Sequence, residues 1–464
     1  RPVAREVEKL GFFDVVFDGA EDIDECIMFL RTGARRREGS AELFAQSLTD
    51  RIRQKKPYPL LRHHFGLPDF EDTRAGVAEI AESRVLDVIS LGIDQNTQQF
   101  FFAPEKRDPR MDGAGGVPVR SAGEFARLRE ASRCGNYPLM RCYSGTANVI
   151  RLAEVLRTGI GNAWCAVPLC WYNELDGRGT RKVEEAMRES QSMIRWHGER
   201  NIPVELNEPH HWGLRDAHDT ISVAMSFLSA YNAKKYGAKD YVAQYMFNIP
   251  SSMSFSMDLA KALAQIEMSE SVADAGFRVY REVRAGLPFL NDDPDIAKGQ
   301  LAASTANAMN VAPHIIHVVG YSEAERAATP EIVIESCKIV RGVVRSTLYG
   351  NADAAADPRV QARKNELIDE ANCLLAFIRE EYGNRCEDPW GDAAALSDCI
   401  RRGILDAPHI VKNAEFRGDL ATRIHEGKCL AYDGAAGRFL NERERLARIR
   451  EREGKYGSQQ NRSH

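Results

Sequence analysis

The stretch Pro203-Val-Glu-Leu-Asn-Glu-Pro-His-His-Trp-Gly-Leu-Arg-Asp-Ala-His-Asp219 decides the fold class. A short buried-strand pattern runs straight into a cluster of acids, imidazoles and an indole, and a helix pattern follows over 220–236. Polar groups set where a strand ends and its loop begins mark a site built on an α/β scaffold. The pattern recurs on both sides of this stretch. Apolar runs at 58–65, 85–93, 139–143, 163–168, 203–206, 241–247, 277–283 and 315–320 read as strands. Helix patterns at 122–132, 149–157, 181–197, 220–236, 256–273 and 296–309 lie between them. Eight strands, each with a crossover long enough for a helix, predict an α/β chain with a (β/α)8, TIM-type barrel.

Residues 1–56 read as an N-terminal helical segment, with apolar residues at helical spacing over 21–30 and 40–53. The barrel is expected over 57–327. A C-terminal α+β extension over 328–456 is expected to pack on it, with long helices over 329–348 and 362–381 and a strand-like Lys428-Cys-Leu-Ala-Tyr432. The charged stretch 441–455 reads as an exposed helix, and 457–464 as a disordered tail.

The chain has 464 residues, 44% of them hydrophobic, enough for a large core, and its net charge of −5 offers no global attraction to nucleic acid or anionic lipid. No apolar run reaches membrane-spanning length and no signal-peptide pattern is visible. The ten cysteines are scattered without a C-x-x-C pair, which points to reduced thiols and a cytoplasmic location.

In a parallel barrel the C-terminal ends of the strands face the site. Here they deliver Arg62, His63 and His64; then Asp94 and Gln98; then Arg141 and Tyr143; then Cys165 with Trp171 and Tyr172 in its loop. Strand five brings Glu208, His210 and His211, strand six Asn248, strand seven Arg281 and Arg284, and strand eight His317 and Glu323. One such residue is more often structural than catalytic, and adjacent histidines cannot both face the mouth. A whole ring of polar strand ends suits a polar organic ligand. No metal site is expected: His210 and His218 are wrongly spaced for zinc, and H-E-x-x-H is absent. No G-x-S-x-G, G-x-G-x-x-G or Walker A sequence occurs. The glycine-rich Asp112-Gly-Ala-Gly-Gly-Val117 lies between two prolines and reads as a surface turn.

Ile93-Asp94-x-x-Thr97, Ser144-Gly145-Thr146 with Arg151-Leu-Ala-Glu154, Asn207-Glu208-Pro209, Gly286-Leu-Pro-Phe289, Gly403-Ile-Leu-Asp-Ala-Pro408 and Gly427-x-Cys429 occur in this order. Together they resemble the large (epsilon) subunit of coenzyme-B12-dependent glutamate mutase, also called methylaspartate mutase, from about residue 58 to 434. The resemblance implies a radical isomerase: a barrel whose mouth is capped by adenosylcobalamin carried on a separate small subunit with a D-x-H-x-x-G motif, in a dimer of large subunits. Here Asp216-Ala-His218 is followed by Ile221 where that motif needs Gly, so no cobalamin-carrying domain is expected in this chain.

The departures from the family point to another substrate. The family clamps glutamate's carboxylates with arginines from the first three strands; Arg62 matches the first, while Gln98 and Tyr143 stand at the other two. Cys165 stands where a glutamate holds the amino group. Val319 replaces a lysine near the adenosyl ribose, Glu323 matches a glutamate there, and on strand five Glu208 matches while His210 replaces an aromatic. Lost guanidiniums leave substrate charges poorly paired, so the expected substrate is a small organic acid other than glutamate. The expected catalytic residues are Glu208, His210 and Tyr143. The expected substrate residues are Arg62, His64, Gln98, Cys165, Trp171 and Tyr172, and those on the cofactor side are Glu323, Asn248 and Arg281. Two other readings stand beside it: a cobalamin-independent lyase or hydrolase using His210, Glu208 and Tyr143 as acid–base groups, and a non-catalytic barrel that binds a small molecule.

Overall fold

The computed structural model describes residues 44–460 except Ser144, Tyr349 and Arg417. The helix expected over 21–30 therefore lies outside the described residues. The eight expected strands are all present: β1 (Leu60–Phe65), β2 (Val88–Leu91), β3 (Leu139–Arg141), β4 (Cys165–Val167), β5 (Val204–Leu206), β6 (Asp240–Phe247), β7 (Arg278–Ala285) and β8 (Ile315–Val318). They form one all-parallel sheet in the order β3-β2-β1-β8-β7-β6-β5-β4, with helices between successive strands: the α/β class and (β/α)8 pattern. All the strands but β7 are buried along almost their whole length, as expected for parallel strands covered on both faces; β7 is only partly buried.

The chain divides into two compact units. The first comprises residues 1–164, 290–309 and 313–351 and holds β1, β2, β3 and β8. Its register aligns His64 with Ser90, Ser90 with Arg141, and Arg62 with His317. Below the strand ends, buried Asp87 takes the Leu61 N–H at 2.8 Å and the Lys55 ammonium at 2.7 Å, tying the preceding helix (Leu48–Lys55) to the start of β1. The helix Pro330–Thr347 belongs to this unit and packs on helix Phe70–Ser83 and on β1 and β8. It is the helix that follows the eighth strand, so the barrel pattern continues past residue 327, where the sequence suggested a boundary.

The second unit comprises residues 165–289, 310–312 and 352–464. Its strands pair with Cys165 opposite Val204, Glu205 opposite Val242 and Gln244 opposite Glu282. Helices Asp219–Lys235 and Phe255–Glu270 lie between these strands and the long helix Pro358–Tyr382. Covered on two sides, the Asp219–Lys235 helix is buried nearly all round. The extension is held there by Arg363 to Asp219 at 3.1 Å and by Asn232 Nδ2 to the Trp390 carbonyl at 2.9 Å. A three-stranded antiparallel sheet (Ala421–His425, Lys428–Asp433, Arg438–Phe439) and helix Glu442–Gln460 complete the unit. That helix runs through Gly457 to Gln460, past the point where a disordered tail was expected.

Candidate functional site

In the first unit the strand ends gather two guanidiniums. Arg62 and Arg141 are each 1% exposed, and their guanidinium carbons lie 5.8 and 5.3 Å from the ring centre of Trp164. Arg62 donates to Ser90 Oγ at 3.1 Å and to His64 Nε2 at 3.1 Å, which makes that nitrogen the acceptor. The His64 ring meets that of His317 edge-on at 4.9 Å. Period-two alternation explains the grouping: Arg62 and His64 share a face of β1, and the register carries it through Ser90 to Arg141. His63 therefore points the other way, where its Nε2 lies 3.2 Å from Glu323 Oε1.

Other expected residues of this unit have structural engagements. Gln98 sits on the short helix Gln95–Phe100; its side-chain N–H donates to the Ile93 carbonyl at 2.7 Å, and its own backbone carbonyl takes the Thr146 N–H at 3.0 Å. Asp94 caps that helix through Thr97 and pairs with Arg120. Burial opposes the charge on Asp94, but Arg120, Thr97 and Gly113 N–H outweigh it and hold the pKa below the ordinary carboxylate value. Tyr143 is half-buried two residues past β3, and its carbonyl faces the Cys142 thiol at 3.4 Å. The glycine-rich run is not a free surface turn: Val117 N–H donates to the Gly92 carbonyl at 2.7 Å, docking the run against the end of β2.

In the second unit the site is built on the loop after β4 and the short helix Glu208–Gly213 after β5. Glu208 is fully buried in the first turn of that helix. Its Oε1 accepts the Leu169 and Cys170 N–H groups at 2.6 and 3.0 Å, while Oε2 has no protein partner among the described residues. Burial raises its pKa to about 7 against the lowering pull of Cys170 and Leu169. Trp171 packs edge-on against Trp212 at 4.9 Å, with the Arg215 guanidinium 4.1 Å from its ring centre. Tyr172, at φ 62°, meets His211 edge-on at 5.4 Å, and His211 in turn meets His210 at 4.5 Å. Burial, then Arg215, Arg178 and Arg284, pushes the His211 pKa well below its ordinary value, so this imidazole is neutral at pH 7.

Cys165 is buried in β4, with its thiol toward the Ala166 carbonyl at 3.5 Å. Asn248, buried at φ 59°, gives its backbone N–H to the Asp258 carboxylate. Arg281 is turned to the helix side of β7, where it pairs with Glu270 at 2.6 and 2.9 Å and donates to the Val311 carbonyl at 2.8 Å. Glu282, the next residue, occupies the other face and accepts from Gln244 at 3.3 Å. Strand alternation thus separates Arg281 from the inner polar row.

The structure brings together Arg62 and His64 with Arg141, Ser90 and His317, and, in the other unit, Glu208 with Trp171 and with Tyr172, His210 and His211 nearby. Arg141 and Ser90 were absent from the expected substrate set. An arginine closing a three-residue strand was the available signal, but its face follows only from register. Among the described residues no three His, Cys, Asp or Glu side chains gather to hold a metal ion, and no helix is long and apolar enough to cross a membrane. A scan of protein-family models gives no match to this chain, and a search of curated proteins gives none.

Proposed function

We propose that this chain is the large, substrate-holding subunit of an adenosylcobalamin-dependent carbon-skeleton mutase, an isomerase acting on a small organic acid other than glutamate. The observation that carries the substrate class is the Arg62–Arg141 pair, two buried guanidiniums against one indole. A planar guanidinium fork pairs with a carboxylate through two parallel hydrogen bonds, and the dry setting strengthens them. The mutase assignment rests on the resemblance and on the eight-stranded parallel barrel that such chemistry uses. The proposed assembly is two such chains with two small cobalamin-carrying subunits, in the cytoplasm.

Adenosylcobalamin, when bound, would supply the radical chemistry, leaving the protein to bind, orient and exclude water. Glu323 is the residue whose setting fits this cofactor: a partly exposed carboxylate after β8, steadied by His63 and able to accept from a ribose hydroxyl. Arg281 is committed to Glu270, and Val319 is fully buried and apolar, so neither is placed to hold a nucleoside. One fitting residue suits a cofactor carried mainly by another chain. On this reading Arg62 and Arg141 hold the substrate carboxylate.

A second reading is favoured by Glu208 itself. A buried carboxyl with one unpartnered oxygen and a pKa near 7 is suited to general acid–base catalysis without cobalamin. The two readings separate by anaerobic titration of the chain with adenosylcobalamin and a D-x-H-x-x-G partner, followed by electron paramagnetic resonance on adding a pool of small organic acids. A cob(II)alamin signal that depends on the acid supports the mutase; turnover of an acid without cobalamin supports the second reading and sinks the first.

A further inference from the structure

A cleft of about 750 Å³ opens in the second unit between the loop after β4, the residues following helix Glu208–Gly213, and the 409–414 segment. Its hydrogen-bonding capacity is lopsided. The two carboxylates that line it are already engaged. Asp176 takes the N–H groups of Tyr172, Asn173 and Arg178 at 3.2, 3.2 and 3.4 Å and the Arg215 guanidinium at 3.3 Å. Glu174 takes Lys182 at 2.7 Å and the Val183 N–H at 3.2 Å.

The donors are not used up. Trp171 lines the cleft, is 1% exposed, and its indole N–H has no acceptor among the described residues. An unmet buried N–H is destabilising, so its retention calls for an explanation. Arg215 uses one nitrogen on the His211 carbonyl at 3.0 Å and another on Asp176, out of five N–H donors. The Arg178 side chain is 55% exposed, stacked 4.8 Å from the Tyr172 ring centre and only loosely paired with Asp176 at 3.9 Å. Leu175, Leu214 and Ile410 supply apolar wall.

We infer that this cleft is a binding site for a small organic anion, with its carboxylate or phosphate on Arg178, Arg215 and the Trp171 N–H and its apolar body against Leu214 and Ile410. Two guanidiniums and an indole N–H beside carboxylates that are already engaged favour an anion, whose oxygens accept from several donors at once and form the stronger, charge-assisted bonds. None of these residues belongs to the Arg62–Arg141 cluster, and the inference stands under either reading of the function.

The test is calorimetric titration of the full chain with butyrate, succinate, benzoate and inorganic phosphate, on wild type and on Arg178→Gln, Trp171→Phe and Arg62→Gln. Trp171→Phe removes the N–H while keeping most of the ring, and Arg178→Gln alters an exposed side chain, so circular dichroism should show both variants folded. The expected result is saturable binding of a carboxylate that each cleft variant weakens about three- to tenfold and Arg62→Gln leaves unchanged. The same dependence with phosphate in place of the carboxylates would assign a phosphate head group. No binding of any probe, or binding that ignores both cleft variants, overturns the inference. Loss of all binding in Arg62→Gln alone also overturns it, since the anion would then belong to the other cluster.

Discussion

At the scale of single residues, Glu208 shows how position and not identity makes a functional carboxyl. Burial by itself works against ionisation; at Glu208 two backbone N–H groups relieve it only partly, and the pKa stands at about 7. The pKa is raised above its unfolded value, so between about pH 4.5 and 7 the folded chain binds the proton that the unfolded chain has lost. Stability therefore falls as pH rises through that window, by on the order of 3 kcal/mol, and is flat above it. Glu208→Gln should remove this component: chemical denaturation of wild type and variant at pH 5 and 7.5 should show the gap moving in the variant's favour as pH rises, and an unchanged gap would mean that Glu208 titrates normally. His197, lowered to about 4 by burial, contributes an opposite slope to both proteins and cancels in the comparison. Arg141 carries a second expectation. Arg141→Gln should weaken binding of the substrate acid roughly ten- to hundredfold, the cost of losing a charge-assisted pair in a dry site. Arg62→Lys should lose most of the affinity as well, because a point charge cannot replace the fork. Retained affinity in both variants would detach the pair from the substrate.

At the scale of elements, the helix Glu442–Gln460 illustrates a charged segment anchored by one buried end. Arg443, Arg448, Arg450 and Glu451 are exposed, yet Glu442 is buried between His218 at 2.8 Å and Arg445, and Arg445 also donates to the Gly403 and Ile404 carbonyls at 2.9 and 2.7 Å. Burial works to raise the Glu442 pKa, but Arg445 and His218 outweigh it and hold it at about 2. This is the depressed case: the stabilisation is present above about pH 4.5 and is lost as pH falls toward 2. Glu442→Ala, which leaves buried Arg445 without its carboxylate, should cost about 3–5 kcal/mol near neutral pH, with the deficit shrinking on acidification. A thermal melt differing by less than a degree would refute the anchor. The glycine-rich run makes the complementary point about backbone. Gly116 has φ 155°, and a Cβ there would lie 2.0 Å from the Gly92 carbonyl oxygen at the end of β2. Gly116→Ala should destabilise by more than about 1 kcal/mol, whereas an ordinary surface-turn alanine would be nearly neutral. The docking was hidden in the sequence because flanking prolines signal a turn but say nothing about what the turn packs on.

At the scale of the whole molecule, the proposed cofactor sharing has a direct consequence. Glu323 is the residue proposed to meet the nucleoside, so on this proposal the chain alone should lose adenosylcobalamin on a desalting column and keep it only with a D-x-H-x-x-G partner. Retention by the isolated chain would contradict the shared-cofactor proposal. All eight strands were legible in the chain because parallel strands are short apolar runs, and helical periodicity between them is a local signal. The polar strand ends were legible for the same reason. Their faces were not. Which of His63 and His64 accompanies Arg62, whether Arg141 turns toward it, and whether Arg281 turns to the helix layer all depend on alternation together with register across neighbouring strands. A one-residue slip would exchange every answer. The barrel's end was misplaced for a related reason: the helix Pro330–Thr347 looks like any amphipathic helix until its packing on β1 and β8 shows which unit it belongs to. The sequence by itself determined the periodicities, and with them the α/β class, the eight strands and the ring of polar residues at their ends. Only the tertiary structure decided which of those residues meet, because contact between distant strands is set by register and packing, which local sequence does not encode.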